Sequence, residues 1–151
     1  EFNQMQAITD ELVKRYPKDT LLNAVFLPLV QARAEIYRGN ADHAIELLET
    51  TRSYEGAVFF QVGYLRGQAY LSQHKAAEAA TEFQKILDHR GWQPASPLYP
   101  LAHVGLGRAA ALRGDATKAR TAYQDFFAFW KDADPDILIL QEARREYEKV
   151  K

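Results

Sequence analysis

The sequence predicts an all-α protein: an antiparallel helix-pair solenoid of about eight helices, closed by a C-terminal capping helix. Three observations carry that prediction. A short signature recurs as Arg38-Gly39-Asn40-Ala41 with Ala44, Gln73-His74-Lys75-Ala76 with Ala79, and Arg113-Gly114-Asp115-Ala116 with Ala119. Its last alanines lie 35 and 40 residues apart, near the period of roughly 34 residues of a stacked helix-turn-helix unit, with one insertion in the second interval. After each signature the apolar residues keep helical spacing: Ala79, Ala80, Phe83, Ile86 and Leu87, then Ala119, Ala122, Tyr123, Phe126, Phe127 and Trp130. The last stretch carries Glu142, Arg144, Arg145, Glu146, Glu148 and Lys149, the polar outer face that a terminal helix of a stack requires.

The elements follow in order as a single repeat domain over residues 1–151. Residues 2–16 read as a helix stopped by Tyr16-Pro17, forming a half-repeat over 1–17. With Glu1 already inside a helical pattern, the chain reads as a piece of a longer protein. A first repeat spans 20–52, a second 54–91 and a third 97–132, with a proline-rich insertion at 88–100. Ala32, Gly67 and Gly107 lie twelve residues before the signature alanines. A small residue there lets the second helix of a pair approach the first. Leu48, Phe83 and Tyr123, four residues after the alanines, fill the space between repeats. Gly39 and Gly114 make the turns, with His74 standing in for a turn glycine. Pro28 falls inside the first helix of the first repeat and predicts a kink there. Asp134-Pro135 predicts the start of the capping helix, 135–150, as cap and first-turn proline.

The signatures resemble the tetratricopeptide (TPR) pattern of Trp-x-x-Leu-Gly-x-x-Tyr, then Ala-x-x-x-Phe. The second repeat keeps Gly67-x-x-Tyr70 and Ala79-x-x-x-Phe83. The third keeps Leu106-Gly107 and Ala119-x-x-x-Tyr123 but has Ala110 at the Tyr position, and the first has Pro28 and Glu35 at the Trp and Tyr positions. The strings Ala80 to Gly91 and Ala122 to Ile137 further resemble a bacterial lineage of TPR regions lying C-terminal to eukaryotic-like serine/threonine protein kinases or to winged-helix transcriptional regulators. The resemblance implies a non-catalytic, cytoplasmic protein-protein interaction module. Its partners would be protein or peptide segments, including its own effector domain, and it would need no cofactor.

Composition narrows the alternatives. Nineteen Lys and Arg against 20 Asp and Glu leave a net charge of -1, so no overall field draws the chain to nucleic acid or anionic lipid. With no cysteine, disulfides, thiolate metal sites and a cysteine nucleophile are all absent. The longest apolar runs fall far short of the roughly 20 residues of a membrane span. No glycine-rich phosphate loop, His-Arg-Asp or Asp-Phe-Gly occurs. His43, His74, His89 and His103 lack metal-ligand spacing, and Ser53, Ser72 and Ser96 lack a nucleophile elbow. No catalytic, cofactor or metal residue is assigned.

Binding is expected on the face lined by the first helix of each repeat. The register places Leu29, Tyr64 and Val104 in one row and Arg33, Gln68 and Arg108 in the row one turn later. Some TPR domains hold a partner's C-terminal carboxylate with Lys and Asn in these rows, and this sequence lacks that set; its apolar anchors and two arginines would suit a segment with hydrophobic side chains and an Asp or Glu. The alternative is that Arg33 and Arg108 pair with neighbouring repeats. Trp92, in the insertion with Pro94, Pro97 and Pro100, either forms a second surface or tucks onto the helix ends.

Overall fold

The computed structural model describes residues 2–151; Glu1, read above as already helical, lies outside them. Among the described residues there are eight α-helices and no strand: α1 (Phe2–Arg15), α2 (Leu27–Arg38), α3 (Ala41–Glu49), α4 (Glu55–Ser72), α5 (Ala76–Asp88), α6 (Leu98–Leu112), α7 (Ala116–Phe129) and α8 (Leu138–Glu148). Helices α2/α3, α4/α5 and α6/α7 pack as pairs. The first helices also pack side by side, α2 on α4 and α4 on α6, and each second helix touches the next pair, α3 on α4 and α5 on α6. Helix α8 closes the stack against α7.

Each pair is joined by the same backbone turn. Gly39, His74 and Gly114 all take positive φ, at 83°, 59° and 74°. The amides of the next residues, Asn40, Lys75 and Asp115, donate back to the carbonyls of Glu35, Tyr70 and Ala110, which closes the helix end in a Schellman arrangement. Glycine reaches this conformation freely, whereas a side chain there meets its own backbone. His74→Gly is therefore expected to stabilise the protein by about 0.5–1 kcal/mol and raise Tm by a few degrees in a thermal melt. His74→Val should lower it.

Three apolar cores lie one above the other, each built by one pair and the first helix of the next. Val25, Leu29, Ala32, Ala44 and Leu48 meet Val58 and Val62. Phe60, Tyr64, Ala79, Phe83 and Ile86 meet Ala102 and Ala109, and Val104, Ala119, Tyr123 and Phe126 meet Leu140 and Ala143 of α8. The small residues work as the register requires, and one lies outside it. A Cβ on Gly67 would stand 2.6 Å from the Phe83 ring, and one on Gly105 would stand 2.5 Å from the same ring. The ring is thus held between two backbones, α4 on one side and α6 on the other. Gly107 gives Tyr123 the same close approach, at 2.8 Å.

Two local expectations change form. Pro28 lies in the first turn of α2, and the disturbance precedes it as a π-turn, Leu22–Phe26, in which the Leu27 amide donates to the Leu22 carbonyl. A proline at 28 has no N–H for the Ala24 carbonyl and crowds it, and one wider turn relieves both. The capping helix starts at Leu138 rather than 135. Asp134 Oδ1 accepts from the Asp136 amide, at 3.0 Å, so it closes a turn of its own, and Ile137 is still extended with ψ 118°. The insertion contains a 3-10 turn, Arg90–Trp92. It is anchored by the Arg90 guanidinium, which lies over the rings of Tyr99 and Phe129 at 5.3 and 5.5 Å.

Candidate functional site

The face formed by α2, α4 and α6 carries a cleft of about 360 Å3 lined by Arg33, Ile36, Tyr37, Gln68, Leu71, Ser72 and Arg108. Every one of these residues comes from the first helix of a repeat. Side chains one turn apart on parallel, adjacent helices are brought to one line because the stack repeats the same packing. Arg33, Gln68 and Arg108, separated by 35 and 40 residues in sequence, thus share one wall.

The other predicted row lies deeper. Leu29 and Val104 are buried in the first and third cores. Tyr64 is 9% exposed and sets its ring edge-on to Phe83, with centroids 5.7 Å apart. A first helix wedged between its own partner and two neighbours buries more than half its circumference, which leaves the second row to face solvent. Apolar contact in the cleft comes instead from Ile36, Leu71 and Tyr37, whose exposure of 71% makes it the protruding anchor. The sequence held a signal for the last two: Tyr37 lies four residues after Arg33, and Leu71 three after Gln68, the spacing of side chains on one helix face.

The two arginines differ. Arg33 lies over its own Tyr37 ring, 5.6 Å from the centroid, and its Nη2 donates to the Tyr37 hydroxyl at 3.4 Å. Arg108 is held by the capping helix. Its Nε donates to Glu146 Oε2 at 2.9 Å and its Nη2 to Glu146 Oε1 at 2.8 Å, with Glu142 Oε2 3.4 Å from Nη2. Burial works against the Arg108 charge, but the hydrogen bond and charge of Glu146 outweigh it and hold the guanidinium pKa above its ordinary value. The Tyr123 hydroxyl donates to Glu146 Oε2 as well, at 2.8 Å. Pairing with a neighbouring element, the alternative raised for both arginines, therefore applies to Arg108. No sequence spacing points to Glu146, 38 residues away, because the contact exists only once α8 is docked.

Arg108 and Leu71 also border a second cleft, of about 420 Å3, with Leu112, Tyr123, Glu146 and Val150. One furrow thus runs from α2 to α8. Burial, followed by the Glu146 charge, pushes the Tyr123 phenol well above its ordinary value of 10.0, and burial raises that of Tyr64. A raised folded-state pKa means that the stability it represents is complete below pH 10 and is lost progressively as pH rises from there through the raised folded-state value, because the unfolded chain releases the proton first. Urea midpoints should fall steeply above pH 10, and Tyr123→Phe should flatten part of that fall.

Outside the furrow, Trp92 is 58% exposed and packs against the His89 ring, with centroids 4.2 Å apart. It neither fills a core nor joins the first-helix face. No group of three or more His, Asp or Glu able to hold a metal occurs among the described residues, and no helix there is long and apolar enough to cross a membrane.

Comparison with known proteins agrees with this architecture. Residues 29–88 and, overlapping them, 64–133 each match the tetratricopeptide repeat family. Neither the curated proteins nor the solved structures give a match. The two overlapping stretches cover all three helix pairs except the start of α2 and the end of the stack. With the family match, the positive-φ turns and the close approach of the paired helices at Gly67 and Gly107 in register, the chain belongs to the tetratricopeptide repeat family.

Proposed function

We propose that the protein binds extended protein segments along the furrow of α2, α4 and α6, taking an acidic side chain at Arg33 and apolar ones at Ile36, Tyr37 and Leu71. The observation that carries this reading is the pairing of an arginine that meets no carboxylate among the described residues with an exposed aromatic ring in the same cleft. Such a site supplies a charge-assisted hydrogen bond beside an apolar anchor. Leu29, Tyr64 and Val104 would shape its floor from beneath.

The test is selection of a randomised peptide library on the immobilised protein. Enrichment of Asp or Glu flanked by apolar residues is expected, and Arg33→Glu with Gln68→Glu should weaken the selected peptide at least about tenfold. These two positions are chosen because Arg108 also secures α8, so reversing it would disturb the fold. Unchanged affinity in a folded double variant would remove the furrow from consideration.

The module would serve a cytoplasmic bacterial serine/threonine protein kinase as its regulatory or targeting region. That placement is supported by the resemblance of residues 80–91 and 122–137 to TPR regions of such kinases. A TPR effector region of a winged-helix regulator, or a stand-alone scaffold, are the other readings. The coding sequence preceding Glu1 decides among them: a glycine-rich loop followed by His-Arg-Asp supports the kinase, and a winged helix overturns it.

A further inference from the structure

A separate cleft, of about 460 Å3, opens away from the furrow, between α5 and α7 over α6. Its origin is a departure from the repeat pattern. The second repeat carries Tyr70 three residues after Gly67, and that ring packs against the second core. The third repeat has Ala110 at the equivalent place, and with Ala80, Ala109 and Ala122 around it the space such a ring would take stays open. Leu87 and Leu106 complete an apolar lining. The volume lies in the range of small-molecule sites, which are mostly apolar with a few placed polar groups.

The polar groups sit at the two ends. At one end is Arg113, for which no carboxylate lies at ion-pairing distance among the described residues, beside Lys118, whose Nζ is 3.3 Å from Asp115 Oδ2. Two cations against one carboxylate leave this end positive. At the other end is His103, 9% exposed. Its Nδ1 lies 3.7 Å from Asp125 Oδ2, and its buried Nε2 has no hydrogen-bond partner among the described residues. Burial lowers the pKa of this imidazole, so the ring is neutral near pH 7. The Asp125 carboxylate favours the proton on Nδ1, which makes Nε2 an acceptor in need of a donor. His103 and Arg113 are ten residues apart on α6, or about 15 Å along the axis.

We propose that this cleft binds an elongated amphipathic carboxylic acid: the carboxylate at Arg113, an apolar chain over Leu87, Leu106 and Ala110, and a hydroxyl or amide donor at His103. The site is distinct from the protein-binding furrow and does not depend on it. The ligand class follows from the lining. One end attracts an anion, the middle is apolar, and the far end offers a buried acceptor whose desolvation only a hydrogen-bond donor offsets. A chain of roughly ten carbons spans the distance set by the helical rise.

The probe is 10-hydroxydecanoate, compared with decanoate and 1-decanol by isothermal titration calorimetry on the whole chain below their micellar concentrations. The hydroxy acid should bind about fivefold more tightly than decanoate, the difference of one net hydrogen bond, and about threefold to fivefold more tightly than 1-decanol, whose hydroxyl can meet His103 but which has no carboxylate for Arg113. Arg113→Gln should weaken both acids about threefold to fivefold, and leave 1-decanol unchanged. His103→Phe, which keeps the aromatic contacts with Tyr99 and Phe129, should erase the preference for the hydroxyl. Ala110→Tyr restores the ring that the second repeat carries and should abolish binding of all three with the circular dichroism spectrum intact. Absence of binding at millimolar probe, affinity indifferent to the head group, or undiminished binding by a folded Ala110→Tyr protein would each overturn the proposal.

Discussion

Replacing Gly105 with alanine is expected to destabilise the protein by about 2 kcal/mol, although alanine is the better helix former by about 1 kcal/mol. The added methyl would stand 2.5 Å from the fully buried Phe83 ring. That ring cannot retreat, since its other side already lies against the Gly67 backbone, where a Cβ would stand 2.6 Å away. Either α6 moves outward from α5 or Phe83 leaves its rotamer, and both open the second core. Chemical denaturation of Gly105→Ala, Phe83→Leu and the double variant forms a cycle that isolates this contact. The double variant should be more stable than the two single losses predict, because a leucine leaves room for the methyl. Strict additivity would mean that Phe83 is not what Gly105 accommodates.

The second large effect is expected at Glu146. Glu146→Ala removes every hydrogen bond between Glu146 and Arg108 and the acceptor of the Tyr123 hydroxyl in one step. The partly buried guanidinium keeps only Glu142, 3.4 Å from its Nη2, and the buried phenol loses its acceptor, at a cost of about 2 kcal/mol. The loss should be local. Helix α8 is held by Leu140, Ala143 and this carboxylate node against α6 and α7, and stacked repeats open from their ends. Hydrogen exchange should show α8 amides losing protection by more than tenfold while α2 to α5 keep theirs. Uniform loss along the chain would show that the stack unfolds as one unit.

How legible the protein was in its sequence depends on the range of each interaction. The turn at Gly39, His74 and Gly114 is a local backbone requirement, so three short signatures disclosed it. Ala44, Ala79 and Ala119 gave the repeat period for the same reason. Gly105 was missed because it lies outside the family register; its role depends on Phe83, a helix away. The polar row of Arg33, Gln68 and Arg108 follows from helical spacing, yet which of its arginines meets a carboxylate does not, since the partner of Arg108 is Glu146, 38 residues away on another helix.

The amino-acid sequence by itself determined the all-α stack, its three helix pairs and the face on which its first helices lie, because those follow from periodicity and turn chemistry within about forty residues. Only the tertiary structure decided which side chains of that face reach solvent, that Leu29 and Val104 belong to the cores, and that Glu146 captures Arg108. Burial and ion pairing are settled by which elements dock on one another, and a chain records that choice in the shapes of distant residues, where no fixed spacing exposes it.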